Sequence, residues 1–219
     1  MCARAKQTRR IGWIGLGTMG LPMALRLTDK SGCAVYGCDI VPAAMDAFAS
    51  MGGIPEPDSA ALLENSDVVF LSLPGNALVQ ETLTDAVRRC RRGTVVVDTS
   101  SSLPAVIQSC AAQAAARGVE LIDCPVSGGA EAAAEGRLSA MCGGSETALA
   151  RVSPLLACFA ARVTHMGSLG SGYAAKLINN LIVGGEITLI AEALGLARKA
   201  GLDMARLLEA LSGGAASSP

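Results

Sequence analysis

Short apolar segments of β-strand character alternate with helical segments through the first 166 residues of this chain. Short, wholly apolar strands separated by helices are typical of a parallel sheet covered on both faces. The pattern predicts strands at Arg10–Ile14, Ala34–Cys38, Asp67–Leu73, Thr94–Asp98, Val119–Asp123, Leu138–Cys142 and Arg162–Met166, and helices at Met19–Asp29, Pro42–Ser50, Pro104–Arg117 and Pro154–Ala161. The fold class that follows is α/β, with a doubly wound, mainly parallel sheet.

The pattern changes after about residue 170, where one long helix runs from Tyr173 to about Lys199. Gly201 ends it, and a further helix covers Asp203–Leu211. We therefore expect an α/β domain over residues 1–166, followed over 167–219 by a long interdomain helix and the start of an incomplete all-α domain. The uncovered apolar stripe of the long helix predicts a homo-oligomer.

Charge and cysteine usage exclude several classes of protein. The 219 residues carry 18 basic and 19 acidic side chains, so we expect neither a nucleic-acid partner nor attraction to an anionic membrane. The eight cysteines form no C-x-x-C pair, and His165 is the single histidine. This predicts buried free thiols, no metal site and a reducing compartment.

Two apolar stretches superficially suggest membrane or targeting segments. Ile11–Leu25 follows two arginines, but its four glycines and one proline suit a binding turn better than an inserted helix. Leu177–Ala197 is interrupted by Glu186 and Glu192. We therefore expect no membrane segment, no targeting signal and a cytoplasmic location.

A glycine-rich turn between the first strand and the first helix predicts a dinucleotide site. It reads Gly15-Leu16-Gly17-Thr18-Met19-Gly20, which fits G-x-G-x-x-G. Gly15 makes the tight turn, Gly17 lets the backbone approach a pyrophosphate, and Gly20 lets helix and strand pack closely. Asp39 ends the next strand 19 residues after Gly20, where it would bind the ribose hydroxyls and repel a 2′-phosphate. This predicts a Rossmann-type domain that binds NAD, with NADP less favoured; the alternative is a structural turn followed by a coincidental acid.

A second polar group lies on the long helix. Lys176, Asn179 and Asn180 are spaced i, i+3, i+4 and share one stripe of an otherwise apolar helix. A lysine beside a nicotinamide can exchange the proton that accompanies hydride transfer, and the amides can hold lysine and substrate in register. The alternative is a lysine that extends its amine to solvent, with amides that cap a neighbouring loop.

A third element is D-C-P-V-S-G-G, at the carboxyl end of a predicted strand. Ligands bind at that end in open parallel sheets. Its last three residues, Ser127, Gly128 and Gly129, offer a hydroxyl and backbone amides to a carboxylate. The alternative is an ordinary strand-to-loop turn.

Taken together, these motifs resemble the β-hydroxyacid dehydrogenase family, which includes 3-hydroxyisobutyrate dehydrogenases and tartronate semialdehyde reductases. The segments Gly12–Ala24, Asp123–Gly129 and Gly170–Asn180 are similar to its cofactor, substrate and catalytic signatures, in the same order. Cys124 stands where the family usually has alanine, and Leu78 where many relatives place a polar residue. Relatives also continue past Pro219 into a completed helical domain with a further substrate-side lysine, which predicts a fragment or a truncated gene product.

The resemblance implies a role for each matching residue. Lys176 would be the general acid/base, with Asn180 and Asn179 orienting the substrate. Ser127, Gly128 and Gly129 would bind the substrate carboxylate; Leu73, Pro74 and Ser101 would line the nicotinamide side of the cofactor.

The function implied is NAD-dependent transfer of hydride between nicotinamide and a small 3-hydroxy acid or its semialdehyde, of the 3-hydroxyisobutyrate or tartronate semialdehyde/glycerate type. Two alternatives stay open. One is a dinucleotide-binding module without catalysis; the other is a relative of the imine reductases, which typically lack a lysine at the position of Lys176.

Overall fold

The computed structural model describes residues 9–212, and it contains one extended sheet flanked by helices. The strands are β1 Arg10–Ile14, β2 Ala34–Cys38, β3 Ile54–Pro55, β4 Val68–Leu71, β5 Val95–Asp98, β6 Glu120–Asp123, β7 Val126–Ser127, β8 Leu138–Gly143 and β9 Ala160–Gly167. The helices are α1 Gly20–Lys30, α2 Pro42–Ser50, α3 Ser59–Asn65, α4 Asn76–Arg89, α5 Pro104–Arg117, α6 Gly129–Glu135, α7 Glu146–Leu156, α8 Ser171–Lys199 and α9 Met204–Ser212.

The strand order is β3-β2-β1-β4-β5-β6-β8-β7, with β9 paired to β8. The first six strands of that order are parallel, whereas β8 runs antiparallel to both β6 and β7. The chain leaves β1 in one direction to build β2 and β3, then returns to the other side of β1 with β4. Such a reversal opens a crevice at the carboxyl ends of the strands, where open α/β sheets bind ligands. The predicted Rossmann-type, mainly parallel fold is confirmed.

Alternate residues of each central strand enter two separate cores. On β4, Phe70 packs into one core, whereas Val69 and Leu71 pack into the other. Trp13 stacks on Phe70 with ring centroids 5.0 Å apart, and Phe159 meets the Trp13 ring edge-on at 5.9 Å. Aromatic pairs of this kind contribute about 0.5–1.5 kcal/mol each beyond the area they bury. These ring contacts hold β1 and β4 together, and the candidate site lies at the carboxyl ends of these strands.

The helix predicted at Pro154–Ala161 is wrong in its bounds. Ser145 caps α7 by accepting a 3.1 Å hydrogen bond from the amide of Ala148, and Pro154 lies in the last turn instead of the first. Pro is common at a helix start, which is why the sequence pattern misplaced the helix. Residues Ala160–Gly167 form β9 instead.

The chain forms two compact units, with the boundary between Leu177 and Ile178 inside α8. The first unit holds the whole sheet. In the second, Asp203 caps α9 by accepting hydrogen bonds from the amides of Ala205 and Arg206, at 2.9 and 3.1 Å. The domain division predicted at residue 166 stays a prediction.

Helix α8 is, within residues 9–212, the one helix long and apolar enough to span a bilayer, with a mean hydropathy of 1.4 over its most apolar window. Core helices of soluble proteins meet the same criterion. The expected absence of a membrane segment, the cytoplasmic location and the homo-oligomer all stay predictions.

Candidate active site

The turn between β1 and α1 is held in place from three sides. The amide of Gly15 donates to the carbonyl of Cys38 at 2.9 Å, and the indole N–H of Trp13 donates to the carbonyl of Gly15 at 2.9 Å. Gly15 has a φ of +95°, and a Cβ there would lie 2.2 Å from the carbonyl oxygen of Ser72. Only glycine satisfies both the conformation and the space. The core aromatic Trp13 thus fixes the turn directly.

Gly17 and Gly20 differ in what surrounds them. A Cβ at Gly20 would lie 1.9 Å from the carbonyl oxygen of Gly15, so the helix start packs directly on the turn. A Cβ at Gly17 would meet no atom within 4 Å, because this residue faces open space. Helix α1 has no side-chain cap at Met19. The amide of Leu21 donates to the carbonyl of Gly17 at 3.0 Å and Pro22 has no N–H, so in the first turn the amide of Gly20 is the one left for a ligand. These features are compatible with a dinucleotide pyrophosphate at the turn, and the binding roles of the three glycines stay predictions.

Asp39 is held rigidly at the end of β2. Its Oδ2 accepts from the amide of Leu16 at 2.6 Å, and its Oδ1 accepts from the amide of Val41 at 2.8 Å. The side chain of Leu16 is buried in the core, so Leu16 contributes through its backbone only. Gly15, Asp39 and the half-exposed Leu78 line an open cavity of about 1030 Å³, which has room for the adenosine half of a dinucleotide.

A second cavity, of about 560 Å³, brings the three motifs together. It is lined by Lys176 and by residues from four turns at the carboxyl ends of strands: Gly17, Thr18, Met19 and Gly20; Ser72, Leu73, Pro74 and Gly75; Thr99, Ser100 and Ser101; and Val126, Ser127, Gly128 and Gly129. Sequence reasoning missed Ser72, Gly75, Thr99, Ser100 and Val126. Their position just after β4, β5 and β6 was the available signal, because ligands bind at those ends.

Lys176 lies in the second turn of α8, and its side chain is half-buried. Burial lowers the pKa of the Lys176 amine below its ordinary value of 10.5, because a low-polarity environment disfavours the charged form. Among residues 9–212, no carboxylate forms an ion pair with Lys176 to oppose this effect. The neutral amine, which can accept a proton, is therefore easier to reach than in an exposed lysine.

Ser127, Gly128 and Gly129 join β7 to α6 on the same cavity. Gly128 has a φ of +135° and Gly129 a φ of +77°, so both adopt conformations that favour glycine. Consecutive glycines of this kind turn backbone amides toward a common point and suit an anion such as a carboxylate.

Asn179 and Asn180 fall in the second unit, where the Asn179 amide donates to the side-chain oxygen of Asn180 at 3.4 Å. Their proposed contact with substrate stays a prediction. Within the described residues, no group of three metal-ligating side chains occurs, and the described cysteines are free thiols.

The fold and the two cavities define a Rossmann-type dinucleotide-binding protein. Residues 10–167 match a family model described as the NAD binding domain of 6-phosphogluconate dehydrogenase. Residues 170–219 match one described as the NAD-binding domain of NADP-dependent 3-hydroxyisobutyrate dehydrogenase. The chain belongs to the β-hydroxyacid dehydrogenase family, as its motifs indicated.

Named relatives support this assignment. The chain is 37% identical over 196 residues to the 2-(hydroxymethyl)glutarate dehydrogenase of Eubacterium barkeri, covering 88% of this chain and 65% of that enzyme. It is 37% identical to the 2-hydroxy-3-oxopropionate reductase of Escherichia coli, covering 95% of this chain and 72% of that enzyme. A solved Mycobacterium tuberculosis 3-hydroxyisobutyrate dehydrogenase with L-serine superposes with a TM-score of 0.88 at 33% identity, covering 97% of this chain and 72% of the other. The chain thus spans slightly less than two thirds of the first relative's length.

Proposed function

We propose that this chain carries the cofactor site and the proton-transfer group of an NAD-dependent oxidoreductase that acts on a small 3-hydroxy acid or its semialdehyde. The observation that supports the proposal is the shared cavity, which is lined by Lys176, by residues of the glycine-rich turn and by Ser127, Gly128 and Gly129. The names of the relatives, two of them dehydrogenases and one a reductase of hydroxy or oxo acids, support the same reaction class.

The residues of the chain divide the work between binding and proton transfer. When bound, the nicotinamide supplies the hydride acceptor for alcohol oxidation, and the donor for the reverse reaction. The neutral amine of Lys176 takes the proton that leaves the substrate hydroxyl, and the ammonium returns it during reduction. Ser127 and the amides of Gly128 and Gly129 would bind the substrate carboxylate, and Leu73, Pro74 and Ser101 would hold the nicotinamide side of the cofactor. Asn179 and Asn180 would orient the substrate.

A substrate panel tests the proposed function. The chain is incubated with NAD⁺ and 3-hydroxyisobutyrate, glycerate or 2-(hydroxymethyl)glutarate, and NADH formation is followed by absorbance. Lactate is the matched control, because its hydroxyl lies one carbon closer to the carboxylate. We expect turnover of at least one 3-hydroxy acid and none of lactate. NADH binding without turnover would instead indicate a non-catalytic module, and preferential reduction of cyclic imines would indicate an imine reductase.

The cofactor preference follows from Asp39. If the adenosine ribose binds at Asp39, the 2′-phosphate of NADPH would lie next to the carboxylate of Asp39, which two backbone amides hold in place. Two neighbouring negative charges repel each other. We expect NADH to bind about tenfold or more tightly than NADPH in fluorescence titrations. Asp39→Asn should narrow that ratio, whereas Asp46→Asn, an exposed site on α2, should leave it unchanged. Equal affinities for the two cofactors in the parent protein would contradict the role of Asp39.

A further inference from the structure

Two carboxylates that the proposed reaction does not use lie side by side beneath the start of α8. Asp98 ends β5 and Asp123 ends β6, and the two residues are register neighbours in the parallel sheet. Both are fully buried. Burying one carboxylate is costly, and burying two together costs more because like charges repel. Their contacts must therefore supply a strong compensation.

The carboxylate of Asp123 binds backbone amides at the start of α8. Its Oδ1 accepts from the amide of Gly170 at 2.7 Å, and its Oδ2 accepts from the amide of Tyr173 at 2.8 Å. The first amides of a helix lack partners within the helix and carry the positive end of its dipole, which makes a carboxylate their natural acceptor. Asp123 thus acts as a cap for α8 supplied from another element, the end of β6.

Two glycines close the space around that carboxylate. A Cβ at Gly143 would lie 2.4 Å from Oδ1 of Asp123, and a Cβ at Gly172 would lie 2.8 Å from its Oδ2. Side chains at either position would push the helix start away from β6. The enclosure also raises the pKa of Asp123, because desolvation outweighs the amide contacts.

Tyr173 is bound at both ends. Its amide donates to Asp123, and its hydroxyl donates to Oδ2 of the neighbouring Asp98. The other oxygen of Asp98 accepts from the amide of Ser100 at 2.8 Å. The Tyr173 ring is fully buried, so neither contact competes with water. Two adjacent strand ends therefore hold one residue of α8 by its backbone and by its side chain.

Lys176 follows Tyr173 by three residues, less than one helical turn, so both lie on the same side of α8. The same network reaches the cavity wall, because Ser100 lines the cavity and its hydroxyl accepts from the amide of Leu73 at 2.8 Å. The contacts that fix the helix start thus also connect to residues that line the same cavity as Lys176. A shift of about 1 Å in a reacting group can cost about 100-fold in rate.

We propose that Asp123 is a positioning residue: with Asp98, it fixes Tyr173 and the first turn of α8 so that Lys176 faces the substrate cavity. This inference rests on the proposed function, in which Lys176 transfers the proton. Asp123 itself lies outside the cavity lining and would touch neither substrate nor cofactor.

The test compares Asp123→Asn and Tyr173→Phe with Tyr36→Phe, the chain's other tyrosine, whose ring lies under Arg10. Asp123→Asn keeps the shape of the side chain but turns an N–H donor toward the helix amides. We expect its kcat to fall about tenfold or more, while its Kd for NADH stays within about twofold. Tyr173→Phe removes only the contact with Asp98 and should lower kcat about threefold or more. Tyr36→Phe should change neither quantity.

Two further readouts do not depend on activity. Hydrogen exchange measured by mass spectrometry should be about tenfold faster in residues 168–177 of Asp123→Asn than in the parent, with exchange in β1 and β4 unchanged. The rate of acetylation should change at Lys176 about threefold or more, and stay constant at the exposed Lys30.

The outcomes separate this inference from the proposed function. Unchanged exchange in residues 168–177 and unchanged labelling of Lys176 would overturn the positioning role, whether or not the parent turns over a substrate. Equal losses of NADH affinity and kcat would also overturn it, because they indicate a general structural role. If Asp123→Asn fails to fold, Tyr173→Phe decides: an unchanged kcat and unchanged Lys176 labelling overturn the inference. A parent with no turnover contradicts the proposed function only, and the exchange and labelling data then decide on Asp123.

Discussion

Lys176→Met should bind NADH almost as well as the parent protein and turn over its 3-hydroxy acid at least about 100-fold more slowly. Methionine keeps the length and apolar character of the lysine stem, so α8 and the cavity wall should persist. The amine alone is lost, and a well-placed general acid/base contributes about 100- to 10,000-fold in rate. Steady-state kcat and an NADH titration on the same preparation measure the two quantities separately.

The pH profile provides an independent check on Lys176. Oxidation of the alcohol requires the neutral amine, so kcat should rise with pH and level off above the Lys176 pKa. Since burial lowers this pKa, the midpoint should lie below 10.5. Lys176→Met should lack this rise, whereas Lys199→Met, in the exposed last turn of the same helix, should keep both the rise and the parental kcat. Unchanged turnover in Lys176→Met would show that the lysine only extends along the surface; joint loss of binding and turnover would show that it is structural.

The central strands could be predicted from sequence because their local pattern is unambiguous. Val95, Val96 and Val97 are all fully buried. A short run of β-branched residues between turn signals strongly favours a strand over a helix. The bounds predicted for β1 and β2 agree with the structure to the residue. The amphipathic α4, at Asn76–Arg89, was not predicted, although its buried residues Val79, Leu83, Ala86 and Val87 have the i, i+4, i+7, i+8 spacing of a helix.

The glycine-rich turn between β1 and α1 was predictable for a different reason. Each glycine of the motif is needed for a different steric reason, and the G-x-G-x-x-G spacing is enough to recognise them. A Cβ at Gly15 or at Gly20 would clash with a backbone carbonyl oxygen, which accounts for two of the three glycines. The association of Lys176 with Ser127 in one cavity was not predictable from periodicity. It depends on strand order, and the expectation came from the family resemblance.

The contacts of Asp98 and Asp123 lay beyond sequence reasoning altogether. Each residue reads locally as the polar end of an apolar strand. Their importance arises from the register that places them side by side and from contacts with a distant part of the chain, such as the amide of Gly170, which lies 47 residues after Asp123 and directly precedes α8. Long-range contacts of this kind follow from the tertiary fold, so no local sequence pattern predicts them.

Gly17→Ala should fold as stably as the parent protein and bind NADH about 10-fold or more weakly. Gly17 is not confined to the left-handed region, and its new Cβ would meet no protein atom within 4 Å, so the folded chain gains no clash. The methyl group would instead occupy the space through which the pyrophosphate approaches the backbone. Hydrogen bonds to a charged group contribute about 1.5–3 kcal/mol, so displacing one lowers affinity by roughly 10- to 150-fold.

Gly20→Ala is the matched contrast, because the same methyl group would lie 1.9 Å from the carbonyl oxygen of Gly15. It can be accommodated only by moving the turn off the helix, so it should lower the melting temperature as well as NADH affinity. Gly184→Ala, within α8 and with no atom near its Cβ, should leave NADH affinity unchanged. Melting curves and NADH titrations of the three variants then distinguish a turn that binds the pyrophosphate from a turn that is only structural. If Gly17→Ala bound NADH as the parent does, the cavity in front of Gly17 would not hold the pyrophosphate, and the turn would be structural only.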